Sequence, residues 1–133
     1  DLKADLEADE ESWDTDRLRA MEERIAEMEQ TMQVTVAQHI ATGELAAFTE
    51  LGIGPGRSAT THQHDTLVLK EHRGNRLGQL VKCAALLSWG DVAPASQEVI
   101  TYNAEENRPM LSINEAMGFT AIAYEGAWKK ELT

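Results

Sequence analysis

The apolar residues near the start of the chain have the spacing of a helix. Residues 1–11, DLKADLEADEE, are too polar to bury a face, and we expect them to be the end of an acidic linker, on the surface or disordered. Further on, four apolar residues recur three or four positions apart: Leu18, Met21, Ile25 and Met28. This stripe predicts an amphipathic helix over about 14–30, capped by Ser12 or Asp14, at the start of a single domain of residues 12–133.

The middle of the chain predicts three strands. Two runs of β-type residues, at 31–41 and 45–53, are separated only by Thr-Gly-Glu, which predicts a hairpin. The glycine-rich segment 52–64 reads as a loop, and the third strand is predicted at 65–72. The centre of that strand, residues 67–69, is entirely apolar.

Beyond the third strand, the pattern predicts two helices and two strands. A helix is predicted over 76–90, ended by Gly90. Its core face is predicted to consist of Leu77, Leu80, Val81, Ala84, Leu87 and Trp89. A strand at 97–103 and a helix at 107–117 follow, and alternation in the tail 119–132 predicts a closing strand. The order α-β-β-β-α-β-α-β indicates an α+β fold, with a mixed sheet flanked by helices.

Acidic residues outnumber basic ones, and most of the excess lies at the start of the chain. The formal net charge is −11, and residues 1–30 hold 12 Asp or Glu and four Lys or Arg. Such a surface repels nucleic acid and anionic membranes and favours a cationic substrate or partner, although solvated helix faces would produce the same count. The single cysteine, Cys83, allows no internal disulfide, and no apolar run reaches the ~18 residues of a membrane span, so we expect a cytoplasmic protein.

The six residues RGNRLG, at 73–78, lie where the third strand ends and a helix begins. A helix start exposes unbonded N–H groups and the positive end of the peptide dipole, and both favour an anion. Gly74 and Gly78 let an anion approach the backbone, while Arg73 and Arg76 add positive charge. The pattern therefore predicts a phosphate site, the alternative being a plain strand-to-helix turn with solvated arginines.

Another glycine-rich segment, GIGPGR at 52–57, resembles a nucleotide-binding loop only in composition. Pro55 and the absence of a following amphipathic helix favour a hairpin connection instead. No Gly-Lys-Ser or Gly-Lys-Thr follows either glycine-rich segment, which excludes an ATP- or GTP-binding P-loop.

Two segments together resemble a known family. LVLKEHRGNRLGQL, residues 67–80, resembles motif A of the GCN5-related N-acetyltransferase (GNAT) superfamily, in which a strand runs into Arg/Gln-x-x-Gly-x-Gly/Ala at a helix start. Arg73 and Gly78 match that motif, whereas Arg76 stands where the family usually has its first glycine. NRPMLSINEAMGF, residues 107–119, resembles motif B, Asn-x-x-Ala-x-x-Leu-Tyr-x-x-x-Gly-Phe. The positions in register are Asn107, Met110, Ile113, Gly118 and Phe119.

The resemblance extends over about 14–133 and looks most like the C-terminal acetyltransferase unit of some actinobacterial tandem proteins. GNAT domains usually begin with a strand and a helix that have no counterpart before the helix at 14–30. We therefore expect a fragment of a longer polypeptide, or a partner that covers the sheet edge, such as a second GNAT domain or a second copy of the chain.

The resemblance implies that the protein binds acetyl-CoA as a cosubstrate. Its pyrophosphate would be held by the corner residues Arg73, Gly74, Asn75, Arg76, Leu77 and Gly78. In the family a β-bulge separates the preceding strand from the next one, and the pantetheine arm inserts between them. Main-chain groups of Leu67, Val68 and Leu69 would bind the arm, one amide polarising the thioester carbonyl. Asn103 and Asn107 would bind it from the other side, with an Asn turn and a helix cap as their alternative roles.

The implied reaction is direct attack of a neutral primary amine, carried by a small cationic molecule, on acetyl-CoA. Glu50 and Asp65 are the candidates for the general base, with His62 and His64 in reserve. Burial of Glu50 on the hairpin would raise its pKa toward a useful value. Many family members supply the acid with a motif B tyrosine, but here Asn114 stands at that position, so this role is missing, moved or taken by solvent.

Two alternatives remain open at this level. The first is a catalytically degenerate GNAT domain with a structural or CoA-sensing role in a tandem protein. The second is an interaction module built on the helix at 14–30. We predict no metal: a zinc site made by His62 and His64 with His39 or His72 would rest on two histidines in a loop, which are too few ligands.

Overall fold

The computed structural model describes residues 14–103, 107–126 and 128–132. These residues form two units, Asp14–Tyr102 and the part of the chain that begins at Asn103. The linker predicted at 1–11 and the domain boundary predicted at residue 12 lie outside the described residues.

The first unit begins with helix α1, Thr15–Glu27, as the apolar stripe predicted. Asp14 caps this helix, because its Oδ1 accepts a hydrogen bond from the N–H of Arg17 at 2.7 Å. Its stripe is only lightly covered, since Met21 and Ile25 are half-buried and no residue of α1 is fully buried. Helix α1 is therefore a surface element that contributes little to the core.

A four-stranded sheet follows, in the order β1-β2-β3-β4. Strands β1, Thr31–Gln38, and β2, Leu45–Ile53, form the predicted hairpin, and β3, Thr61–Val68, pairs antiparallel with β2. The short strand β4, Val99–Thr101, pairs parallel with β3. The sheet is thus mixed and mostly antiparallel, which confirms the predicted α+β class, and the loop over 54–60 is the hairpin connection that GIGPGR predicted.

The boundaries of the third strand differ from the predicted 65–72. The strand begins earlier, at Thr61. The sequence pattern missed this start because Thr61 and Gln63 are polar, although both are buried and hydrogen-bonded inside the protein. The strand ends at Val68 because the chain turns into a 3₁₀ segment, Lys70–His72, in which the N–H of His72 donates to the Leu69 carbonyl at 2.9 Å.

Helix α2, Leu77–Val92, packs on the face of β1 and β2, and the side that it buries matches the predicted one only in part. Val81 and Trp89 are buried as predicted. Leu80 and Leu87 are 57% and 84% exposed. The buried residues are Gly78, Val81, Lys82, Ala85 and Trp89. Small side chains let the helix approach the sheet, and the core they join contains Leu51, Ile53, Ala85, Trp89 and Ala93. The helix also runs through Gly90 instead of ending there.

The second unit contains helix α3, Arg108–Ala116, close to the predicted 107–117. The closing strand predicted at 119–132 is wrong, because residues 119–126 and 128–132 have no strand structure. A strand needs a hydrogen-bonding neighbour and a buried face, but the large apolar side chains beyond Phe119 are exposed, namely Ile122, Tyr124, Trp128 and Leu132. No helix in the described ranges is both long enough and apolar enough to span a membrane.

Candidate active site

The turn between β3 and α2 leaves a row of main-chain N–H groups open. The first amide of this region to donate within α2 is that of Leu80, which bonds to the Arg76 carbonyl at 3.0 Å. Among the described residues, no protein acceptor binds the N–H groups of residues 74–79. No side chain caps the helix either, so the corner offers these amides and the positive end of the helix to an anion.

Backbone conformation at the corner explains how the amides are presented. Gly74 has φ 87°, and Arg76 has φ 57° and ψ 28°, both in the left-handed region. Glycine adopts this region freely, whereas a residue with a Cβ does so at a cost. Arg76, the position at which the sequence departs from motif A, therefore keeps the glycine-like geometry.

Two side chains of the corner are anchored to the turn that precedes it. Arg73 Nε donates to the Val68 carbonyl at 3.1 Å, and Asn75 Nδ2 donates to the His72 carbonyl at 3.0 Å. Arg73 through Arg76 are exposed, which leaves their surface open to a ligand. Of the six predicted corner residues, 73–76 thus form an exposed turn, while Leu77 is half-buried and Gly78 is buried in the first turn of α2.

Strand β3 has an open edge next to this corner. Strand β4 pairs only with the first part of β3, from Thr61↔Val99 to Gln63↔Thr101. From residue 64 onward β3 keeps β2 on one side, and no described strand pairs with it on the other. A free stretch of strand edge, such as that of β3 beyond the end of β4, is what an extended arm needs in order to pair as an added strand. We call this stretch the gap.

Which main-chain groups face the gap follows from the antiparallel register. The Leu69 N–H donates to the Ala46 carbonyl at 2.9 Å, and its carbonyl accepts from His72. Because bonded and non-bonded pairs alternate, Leu67 also pairs with β2, while Thr66 and Val68 direct their N–H and C=O groups away from β2, toward the open edge. The Val68 carbonyl already accepts from Arg73 Nε there. The main-chain groups of Leu67 and Leu69 are thus paired within the protein, contrary to their predicted role, whereas Thr66 and Val68 lie at the open edge. That this edge binds an arm stays a prediction. The sequence alone missed Thr66 because the bulge decides which alternate residues of β3 direct their main-chain groups away from β2.

The bulge brings the two candidate bases together. The register shifts between Thr49 and Leu51, so that His64 and Asp65 of β3 both lie opposite Glu50 of β2. Burial raises the pKa of the half-buried Glu50 carboxyl, the charge of Asp65 raises it further, and a hydrogen bond from the Asp65 N–H opposes both. The structure thus places Asp65 beside a Glu50 carboxyl of raised pKa, and the role of either as a base stays a prediction.

The histidines form two separate pairs. The rings of His62 and His64 stack with centroids 6.3 Å apart, and burial lowers the pKa of His64. The His64 ring lies over Gly52, where a Cβ would be only 2.8 Å from Nε2, beside a cavity of about 90 Å³. In the other pair, the ring centroids of His39 and His72 are 5.5 Å apart. Within the part of the chain that the structure describes, no three His, Cys, Asp or Glu side chains are placed to hold a metal.

The asparagines belong to the second unit. Asn107 Oδ1 accepts from the N–H of Met110 at 3.4 Å, so this side chain takes the helix-cap role that was its alternative. Asn103 is half-buried, and the role of both residues toward the arm stays a prediction. Asn114, at the position of the family's tyrosine, is buried with 3% exposure.

No protein-family model and no curated protein matches the chain. Among solved structures, it is similar to a tandem GNAT protein from the clavulanic acid biosynthesis pathway, with 38% sequence identity and a TM-score of 0.74 over 78% of this chain and 32% of that one. The chain thus spans about a third of the length of that protein.

Two other solved structures resemble the chain in fold. AAC(6')-Iy in complex with the bisubstrate analog CoA-S-monomethyl-acetylneamine is 18% identical, with a TM-score of 0.65 over 90% of this chain and 82% of that one. Glucosamine-6-phosphate N-acetyltransferase from Arabidopsis thaliana is 17% identical, with a TM-score of 0.64 over 93% and 84%. The open corner, the bulged strand with its free edge and the 38% identity to a tandem GNAT protein lead to one conclusion: the chain belongs to the GNAT superfamily.

Proposed function

We propose that the protein is an N-acetyltransferase that transfers an acetyl group from acetyl-CoA to a primary amine. The observation that carries this proposal is the open edge of β3 next to a corner of unoccupied amides. An anion that enters the corner places whatever is attached to it along that edge. A cosubstrate with a diphosphate and an extended amide-containing arm fits both features.

In this proposal, residues 73–78 bind the diphosphate and the edge of β3 binds the arm. The main-chain groups of Thr66 and the N–H of Val68 pair with the amides of the arm as a neighbouring strand would. A main-chain N–H on this edge also polarises the thioester carbonyl and stabilises the oxyanion that forms on attack.

The Glu50 carboxylate is the proposed general base. It accepts a proton from the ammonium group of the acceptor, directly or through water, and the neutral amine then attacks the thioester carbonyl. The new C–N bond forms and the C–S bond breaks. The attacking nitrogen loses its second proton to solvent as the amide forms, and the leaving thiolate takes a proton from solvent. Solvent takes this role because Asn114, at the position of the usual tyrosine, has no acidic proton to give.

A small cationic amine is the proposed class of acceptor. The formal net charge of −11 attracts cations, and the carboxylates of Glu50 and Asp65 lie next to the gap. We propose further that the unit works beside a second GNAT domain, as in the tandem protein to which it is similar.

Calorimetry with acetyl-CoA tests the binding half of the proposal. We expect measurable heat of binding at ~1 mM acetyl-CoA. A Kd of about 1 mM corresponds to a binding free energy of about −4 kcal/mol, so only weaker binding would escape detection. A folded protein that gives no heat under these conditions contradicts the assignment.

Thiol release from acetyl-CoA, measured across a panel of primary amines and polyamines, tests catalysis. Turnover that Glu50→Gln abolishes, with acetyl-CoA affinity unchanged, supports the enzyme. The buried Asn114 favours a second candidate, a degenerate domain that binds CoA without turning it over. Binding without thiol release from any amine supports that second candidate.

A further inference from the structure

A buried row of three hydrogen-bonded side chains crosses the bulge in β3. Gln63 and Thr49 are 6% and 0% exposed, and Thr66 is half-buried. Gln63 Nε2 donates to Thr49 Oγ1 at 2.6 Å and to the Glu50 main-chain carbonyl at 2.8 Å. The hydroxyl oxygens of Thr49 and Thr66 are 2.8 Å apart. We call this group the Gln63–Thr49–Thr66 relay.

The direction of the hydrogen bonds in the relay follows from its chemistry. A carbonyl can only accept, so the atom of Gln63 that faces Glu50 must be the amide nitrogen. Since Thr49 accepts from Gln63, its own proton is available for Thr66. A buried polar network destabilises the fold when a donor lacks an acceptor, and it holds its members rigidly when every donor has one. The amide nitrogen of Gln63 has two acceptors, Thr49 Oγ1 and the Glu50 carbonyl, so both of its protons are bonded.

The relay ties together the two sides of the bulge. Thr49 pairs with Thr66 on one side, and Leu51 pairs with Gln63 on the other, so the register changes inside the relay. Two features of the site depend on that change. It sets the phase in which Thr66 and Val68 face the open edge, and it places the Asp65 N–H on the Glu50 carboxyl.

We propose that Gln63 is a positioning residue for the transfer reaction, holding the bulge through Thr49 and Thr66 so that the Glu50 carboxyl and the β3 edge keep their geometry. Gln63 contacts no substrate in this proposal, which rests on the proposed function. Apolar side chains of similar shape often fill a core at nearly equal stability. The buried amide is therefore explained by the geometry that it imposes.

Replacing Gln63 by leucine removes both donated hydrogen bonds and keeps the volume. We expect kcat for amine acetylation to fall roughly 10-fold or more, because small displacements of a base are costly to proton transfer. The Kd for CoA should rise less than kcat falls, by up to about tenfold, because the corner amides still bind the diphosphate while the displaced β3 edge binds the arm less well. The pKa of the Glu50 carboxyl, followed by NMR without any ligand, should rise further above its ordinary value, because the Asp65 N–H hydrogen bond that opposes the rise is lost.

Thr61→Val is the matched control. Thr61 is buried on the same strand, and its hydroxyl accepts from Trp89 Nε1 at 2.8 Å and lies 2.8 Å from Ser96 Oγ, away from the bulge. We expect this variant to lose stability with kcat and the Glu50 pKa unchanged. Should Gln63→Leu fail to fold, Thr66→Val replaces it, since valine keeps the shape and loses the last bond of the relay.

The outcomes separate the two proposals. An unchanged kcat and an unchanged Glu50 pKa in folded Gln63→Leu or Thr66→Val overturn the positioning role, as does an equal loss of kcat in Thr61→Val at equal loss of stability. A wild-type protein that does not bind CoA contradicts the proposed function instead. In that case the Glu50 titration still decides whether Gln63 controls the bulge.

Discussion

At the scale of single residues, Arg76 shows how one position can serve both geometry and charge. Its φ of 57° is favourable for glycine and costs another residue about 1 kcal/mol. The corner needs this conformation to direct its amides outward, so a glycine is the simpler choice there. Arginine keeps the turn at some cost in stability and adds a positive charge beside the proposed diphosphate.

Arg76→Gly should therefore separate stability from binding. We expect the free energy of unfolding in urea to rise by roughly 0.5–1 kcal/mol, because strain is relieved. CoA affinity should fall about 3- to 10-fold, as expected for one lost charge-assisted contact. Arg57, with φ 52°, is the control, since Arg57→Gly changes a similar backbone position far along the chain from the corner and should leave the Kd unchanged. Tighter CoA binding by Arg76→Gly contradicts the role of its charge.

The Glu50 carboxyl predicts the pH dependence of the reaction. Its raised pKa keeps it protonated, and inactive as a base, to a higher pH than an exposed glutamate. Asp65→Asn removes a charge that raises this pKa, so the acidic limb of the kcat profile should move to lower pH with the plateau retained. Loss of the plateau itself would identify Asp65 as the base.

Lys82 predicts a pH dependence of stability that is independent of function. Burial lowers its pKa from 10.5 to about 8. Between these values the unfolded chain binds the proton more often than the folded one, so stability rises with pH across this window, by about 2–3 kcal/mol. Urea unfolding at several pH values should show this rise in the wild type and in the exposed-site control Lys70→Met. Persistence of the full rise in Lys82→Met would show that another group causes it.

At the scale of elements, helix α2 shows that size, not only polarity, decides which side of a helix packs. Gly78 and Ala85 are buried, whereas Leu80 and Leu87 are exposed. A helix that lies close on a sheet needs small residues at the contact, and larger ones then project beside it. The apolar pattern of α2 is nearly continuous, so it could not distinguish these sides in advance.

Two substitutions in α2 test this packing. Ala85→Leu should destabilise the protein by about 1–3 kcal/mol in urea unfolding, because no space remains beside Leu51 and Trp89. Leu87→Gln should change stability by less than about 0.5 kcal/mol, because the side chain is already in solvent. A larger loss of stability in Leu87→Gln than in Ala85→Leu would show that the side of α2 predicted from hydrophobicity is the one that packs.

At the scale of the whole molecule, charge distinguishes the two proposed substrates. A net charge of −11 attracts a cationic amine and repels CoA, which the corner must bind through local amides and arginines. Raising the ionic strength from low to physiological values screens the long-range attraction. We expect the KM for the amine to rise severalfold and the KM for acetyl-CoA to change little or fall, as measured by thiol release. An amine KM that is independent of salt would contradict a cationic acceptor.

Local patterns were sufficient to predict several elements. The stripe through Leu18 and Ile25 predicted α1, and the β-type runs predicted the hairpin. The same is true of the corner at 73–78, because glycines and arginines at a strand-to-helix junction have a direct chemical meaning. These features depend on residues close together in the chain, which is why the sequence alone determined them.

Tertiary structure decided the rest, since it depends on residues far apart in the chain. The bulge opposite Glu50 changes which residues face the open edge, so Thr66 replaces Leu67 and Leu69, and no local pattern carries that phase. Close packing decided which side of α2 is buried. The alternation in 119–132 likewise predicted a strand, but a strand forms only where another strand and a core receive it. Sequence determined where the corner with its open amides lies, and the pairing of distant strands decided which atoms stand beside it.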